Sequence, residues 1–155
     1  MRYWDSPPHR TPEDTRAIHV ELSQPGERRY FVWDRDGAII GAGGIHANRE
    51  LGFILHPDHW GNGFAREATE AVIGDIWAST GWPRITAKAD PRNLASVGLL
   101  TRLGFRVTGF ARDDVCVAGD WSDSVFMALP RPGASSGAPG PCGPVPSSPR
   151  SLRCR

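Results

Sequence analysis

The 155-residue chain is 39% hydrophobic and 23% charged, which suits one domain with a sizeable core. A net charge of +1 gives no electrostatic ground for a nucleic-acid or membrane partner, and no apolar run approaches the ~20 residues of a membrane span. The N-terminal stretch MRYWDSPPHRTPEDT lacks an apolar signal core, and Cys116, Cys142 and Cys154 form no CxxC spacing, so the expectation is reduced thiols in the cytoplasm, with no disulfide frame and no metal site.

Residues 1–12 are polar, aromatic and proline-containing, as loops are. From Thr11 a helix is expected: Thr11 can cap, Pro12 fits the first helical position, and Glu13 and Asp14 favour the dipole. Ile18 and Leu22 then share a face, and Gln24-Pro25-Gly26 stops the run. Tyr30 to Trp33 is a β-prone run, Asp36-Gly37 a hairpin turn, and Ala38 to His46 a second strand weakened by Gly41, Gly43 and Gly44. Glu50 to His56 is a third strand, with Glu50, Gly52, Ile54 and His56 on one face and Leu51, Phe53 and Leu55 on the other, unless a bulge shifts the phase.

The stretch around which the chain is organised is LHPDHWGNGFAR, from Leu55 to Arg66. Pro57 ends the extended run, since it has no N–H for a ladder. Gly61 and Gly63 bracket a turn whose amides can point inward, and a helix begins at Phe64. The first amides of a helix lack intrahelical acceptors and sit at the positive end of its dipole, so such a turn is an anion site with phosphate as the natural guest. A bare GxG is more often an ordinary strand–turn–helix link. The helix runs to about Ser79 on a stripe of Phe64, Ala68, Val72 and Ile76, with Ala65 and Ala71 beside it, and ends at Gly81-Trp82-Pro83. Arg84 to Ala89 is a strand, Asn93 to Leu103 a second helix stopped by Gly104, and Phe105–Arg112 and Ser122–Leu129 two strands joined by a loop around Gly119-Asp120. Residues 1–129 form the expected domain. Residues 130–155, rich in Pro, Gly and Ser, form an expected disordered tail. Successive hairpins imply an antiparallel part and the helical crossover a parallel pair, hence a mixed α+β fold around one sheet.

Three motifs in this order, LGFILHPDHWGNGFAREATEAV, DPRNLASVGLLTRLGF and WSDSVFMAL, resemble the GNAT superfamily of acyl-CoA-dependent N-acyltransferases over roughly residues 1–129. Within it they are most similar to the ribosomal-protein N-terminal acetyltransferases of RimJ/RimL type. The resemblance implies a three-layer fold: a central, mostly antiparallel sheet with helices on both faces, and a splayed parallel pair, here the strands ending near Leu55 and Ala89, that admits acyl-CoA. The family's pyrophosphate signature, Q/R-x-x-G-x-G/A, aligns with Trp60-Gly61-Asn62-Gly63-Phe64-Ala65, where Trp60 replaces the usual polar residue. By resemblance the amides of Trp60, Gly61, Asn62, Gly63, Phe64, Ala65 and Arg66 hold the pyrophosphate, and the backbone of Ile54 and Leu55 pairs with the acetyl and pantetheine amides. Asn93 is the expected pantetheine ligand. Leu100 stands where many members carry a phenolic acid, which leaves Ser96 as a hydrogen-bonding partner for the sulfur.

The implied activity is direct transfer of acetyl from acetyl-CoA, a co-substrate used with no metal, to a primary amine of a small molecule or a protein N-terminus. Glu50 is the first choice for the base that activates the amine, with His56 and His46 behind it. Asp123 is expected to be structural or to line the acceptor pocket, and Trp121 and Trp82 to pack. A homodimer is a possible assembly. The subgroup usually begins with a strand and a helix ahead of the segment resembling RYWDSPPHRTPEDT, so the chain is expected to lack them and to turn over amines poorly. A non-catalytic remnant that binds acyl-CoA is the alternative. An unrelated nucleotide binder fits less well, because no GK[ST] follows the glycines and the third glycine of GxGxxG is missing.

Overall fold

The computed structural model describes residues 11, 13–14 and 29–133. Most of the expected first helix and nearly all of the expected tail lie outside them. At the described edge of that helix, Thr11 and Asp14 cap reciprocally: the Asp14 amide donates to Thr11 Oγ1 and the Thr11 amide to Asp14 Oδ2, both at 3.1 Å.

The described elements are β1 (Arg29–Arg35), β2 (Ala38–Ile45), β3 (Glu50–Leu55), α1 (Phe64–Ser79), β4 (Arg84–Ala89), α2 (Leu94–Arg102), β5 (Arg106–Val117) and β6 (Asp120–Pro130). They build one six-stranded sheet in the order β1-β2-β3-β4-β6-β5. All its pairings are antiparallel except β3–β4. The fold is therefore the expected mixed α+β sheet. Asp36 and Gly37 take positive φ and turn β1 into β2, as the Asp-Gly pair predicts.

Register aligns Ile45, Leu51, Ala87 and Met127 as one row across four strands, all buried. Val72, Ile73 and Ile76 of α1 and Leu100 of α2 join that row in a single cluster, so both described helices cover the same face. The stripe of α1 is rotated from the expected one: Thr69 is fully buried and Ala71 is exposed. Alanine is small enough to lie on either side of an amphipathic boundary, and the sequence marks Thr69 as polar. Trp33 also lies on this face. Its indole covers Gly41 and Gly43, where an added Cβ would come within 2.9 and 2.6 Å of it. The glycines that weaken β2 as a strand thus make room for the largest side chain of β1.

β5 and β6 are longer than expected. Asp113 takes φ 47° and bulges, its amide donates to Asp123 Oδ1 at 3.0 Å, and the strand continues to a two-residue turn at Ala118-Gly119. Asp123 therefore secures the bulge. Trp82 packs on the core as expected, whereas Trp121 is half-exposed. Cys116, near the end of β5, takes part in a disulfide, which corrects the expectation of three reduced thiols.

Candidate active site

β3 and β4 pair only at Glu50–Thr86 and Leu51–Ala87. Beyond Leu51 the two parallel strands part, so a gap opens toward their C-terminal ends, with α1 and α2 starting just past it. The family resemblance anticipates this split. It does not reveal which backbone groups face the gap. The His56 amide donates to the Ile40 carbonyl and the His46 amide to the Glu50 carbonyl, at 2.7 and 2.8 Å. In an antiparallel ladder hydrogen-bonded pairs alternate, so Ile54 spends both its N–H and its C=O on Ala42. Phe53 and Leu55 face the gap instead. The Leu55 carbonyl already accepts the Trp60 indole N–H at 2.8 Å, which lays Trp60, 65% exposed, across the mouth of the gap. The open groups are then the amide and carbonyl of Phe53 and the amide of Leu55. Phe53 is missed from sequence because side-chain alternation fixes faces and not the in-plane direction of the backbone.

At the gap's open end, Pro57–His59 form a short turn and Gly61 and Gly63 take φ of 77° and 84°. Gly63 caps α1 in the left-handed conformation, with no side chain bonded to the helix end. The Trp60 amide is used by the Pro57 carbonyl and the Arg66 amide by the Gly63 carbonyl, each at 3.0 Å. Between them the amides of Gly61, Asn62, Gly63, Phe64 and Ala65 have no acceptor among the described residues. Five consecutive donors at a helix N-terminus make an anion cradle. The Asn62 side chain ties the turn by donating to the carbonyls of Trp60 and His59, and the Arg35 guanidinium lies 4.5 Å from the centre of the Phe64 ring. The Arg66 side chain is engaged with Glu70 at 2.8 Å. His56 and His59 stand side by side at this end, their ring centres 6.1 Å apart.

Across the gap, Asn93 caps α2. Its Oδ1 accepts the Ser96 amide at 3.2 Å, which leaves the amide nitrogen of its side chain for other partners. The Ser96 hydroxyl has no partner among the described residues. Leu100 is buried in the core and faces no gap. Asp90, just ahead of Asn93, is gripped by Arg92 at 2.6 Å, and that hydrogen bond holds its carboxyl below the ordinary range against the opposing effect of burial. Glu50 lies at the closed end, paired with Thr86. His56 is six strand positions away, roughly 20 Å, so it belongs with the cradle and not with Glu50. No three His, Cys, Asp or Glu side chains among the described residues are grouped as metal ligands.

The chain matches the family described as "Acetyltransferase (GNAT) domain" over residues 1–106. It is 42% identical over 117 residues to an uncharacterised N-acetyltransferase of Bacillus licheniformis, covering 70% of this chain and 66% of that protein. It is 36% identical over 116 residues to the ribosomal protein uS5-alanine N-acetyltransferase of Escherichia coli, covering 75% of this chain and 59% of that one. The chain thus spans less than two thirds of the length of these relatives. Its fold is similar to that of spermidine N-acetyltransferase from Vibrio cholerae, solved with CoA and spermine, at TM-score 0.74 and 22% identity over 84% of this chain and 82% of that one.

Proposed function

This chain belongs to the GNAT acetyltransferase family, and on that footing we propose that it is an acetyl-CoA-dependent N-acetyltransferase acting on a primary amine. The observation that carries the reading is the pairing of a five-amide anion cradle with a sheet that opens beside it. A pyrophosphate seated on Gly61 to Ala65 sends its pantetheine arm into the gap, where Phe53 and the Leu55 amide complete a strand-like ladder and Asn93 reaches it from α2. CoA supplies the activated thioester. The chain binds and orients it, and the amine attacks at the closed end near Glu50. Glu50, the carboxylate at that end, draws the cationic amine in by charge. Ser96 is assigned a hydrogen bond to the sulfur.

The Escherichia coli and Vibrio cholerae relatives act on a ribosomal protein's alanine and on spermidine, so both a protein N-terminus and a polyamine enter as acceptor classes. The catalytic domain is taken as residues 1–129, extended by Pro130 and Arg131. No helix among the described residues is long and apolar enough to cross a membrane. A cytoplasmic location is part of the proposal, and fractionation of cells tests it: recovery with the membrane or secreted fraction would overturn it.

The test of the function is calorimetric titration with acetyl-CoA, ATP and NAD, followed by thiol release with spermidine and with an alanine-initiated peptide. Saturable acetyl-CoA binding with thiol release from either amine supports the reading. Binding of ATP or NAD in its place overturns it.

A further inference from the structure

The face of the sheet opposite α1 and α2 carries a second cluster. Residues across a ladder share a face, so Tyr30 (opposite Gly44), His46 (bonded to Glu50), Glu50 and Gly52 all lie on this side, behind Leu51 and Phe53. The His46 imidazole rests directly on Gly52. A Cβ added there would lie 2.6 Å from His46 Nε2 and 2.8 Å from Cδ2, so only glycine admits the ring in this place. The Tyr30 ring meets it edge-on, with centres 5.2 Å apart at 63°. The contacts with Gly52 and Tyr30 position the imidazole, and the backbone bond to Glu50 fixes the residue that carries it. Gly52 is also the first residue of β3 after the last pair with β4, so the ring is held at the point where the gap closes. A cofactor arm that starts at the cradle and runs along Phe53 and Leu55 ends there.

We infer that His46 is the group that takes the proton from the acceptor amine at the thioester end of the gap. This rests on the acetyltransferase reading. In the step, neutral Nε2 accepts one proton from the ammonium. The freed lone pair forms the C–N bond at the thioester carbonyl, the C–S bond breaks, and a second amine proton goes to the departing thiolate. The imidazolium then returns its proton to solvent. On its face of the sheet stand Tyr30 of β1, Glu50 of β3 and, further along, Lys88 of β4, which pairs with Asp114 of β5 at 3.7 Å. Burial raises the Tyr30 phenol, which keeps it neutral beside the imidazole. Arg49 is drawn off over Trp82 and Arg29 pairs with Asp75.

Nuclear magnetic resonance separates this inference from the function beneath it. The His46 ring signal is assigned by its loss in His46→Gln, and the amides of Gly61 to Ala65 report on the cradle. Acetyl-CoA should move both, whereas adenosine 3′,5′-bisphosphate should move only the amides. If acetyl-CoA moves the amides and leaves the ring signal in place, His46 is not at the thioester. If it moves neither, the acetyltransferase reading falls and takes the inference with it. With an accepted amine, His46→Gln should lower kcat about 100-fold and remove the acidic limb of the pH profile, while KM for acetyl-CoA stays within about two-fold. Gly52→Ala, which pushes the ring aside, should lower kcat in the same way at an unchanged melting temperature. A kcat untouched by His46→Gln, or a limb that survives it, overturns the assignment.

Discussion

Arg131 follows the last strand, in a stretch whose composition reads as tail, yet its side chain fastens the far end of α1. Its guanidinium donates to the carbonyls of Trp82 (2.9 Å), Trp77 (3.0 Å) and Thr80, and lies 4.9 Å from the centre of the Trp77 ring. Its own amide donates to the Pro83 carbonyl at 2.9 Å. A cation that satisfies the last carbonyls of a helix gains from the dipole as well as from the bonds. Each charge-assisted bond is worth about 1.5–3 kcal/mol where water cannot replace it. Here the group is only part-buried and the three share one side chain, so Arg131→Ala should cost about 2–3 kcal/mol in all. For a chain of this size that lowers Tm by about 4–12 °C. Arg131→Lys keeps the charge but loses the planar fork, and should recover less than half. Thermal unfolding followed by far-ultraviolet circular dichroism measures both, and chains ending at 130 and at 133 should differ by the same amount. A shift of less than about 1 °C for Arg131→Ala would show that water satisfies those carbonyls equally well and that the fork holds nothing.

Gly63→Val should weaken acetyl-CoA binding at least about 100-fold by calorimetry, because a branched side chain is strained at φ 84° and fills the approach to the amides; unchanged affinity in a folded variant would remove the cradle. Asp90→Asn should lower Tm at neutral pH and not at strongly acidic pH. Arg92 depresses the folded carboxyl, so the stability it contributes is present above the ordinary value of about 3.9 and is lost as pH falls through the lower folded value; a pH-independent difference would point to packing instead. Thr69 is fully buried and its hydroxyl has no partner among the described residues, so Thr69→Val should raise stability by about 1 kcal/mol in urea unfolding, whereas a clear loss would reveal a partner for the hydroxyl.

Local chemistry with one solution was legible in the sequence. Asp36-Gly37, Gly63, Asn93 and Gly104 each sit where backbone conformation or a cap dictates them, and they set the turn and helix ends to within a residue. The split of β3 from β4 was legible only through the resemblance, since nothing in ITAKAD states that Lys88 and Ala89 stop pairing with β3. Quantities that depend on two distant stretches were not legible. The bulge at Asp113 needs Asp123 across the hairpin, and the three carbonyls under Arg131 lie about 50 residues back. The place of Thr69 depends on how far α1 is rotated over the sheet, which a run containing several alanines leaves open.

On the proposed reading, the single parallel pair sets binding and chemistry at opposite ends of one strand. A sheet ordinarily satisfies every backbone group of an inner strand. β3 satisfies its β2 side throughout and its β4 side only as far as Leu51, so the groups beyond are available to a ligand with amides of its own. The gap cannot extend further back, because Glu50 and Leu51 close it by pairing with Thr86 and Ala87. It cannot close further forward, because Trp60 occupies the Leu55 carbonyl and the cradle turn diverts the chain into α1. One end is therefore fixed by a ladder and the other by a helix N-terminus. A long, thin, anionic-headed molecule meets donors at its head, a strand edge along its length and, at the closed end, the face that carries Glu50 and His46. Side chains at that face can vary without touching the cradle, which fits relatives that share this fold and act on amines as different as a polyamine and a protein's terminal alanine.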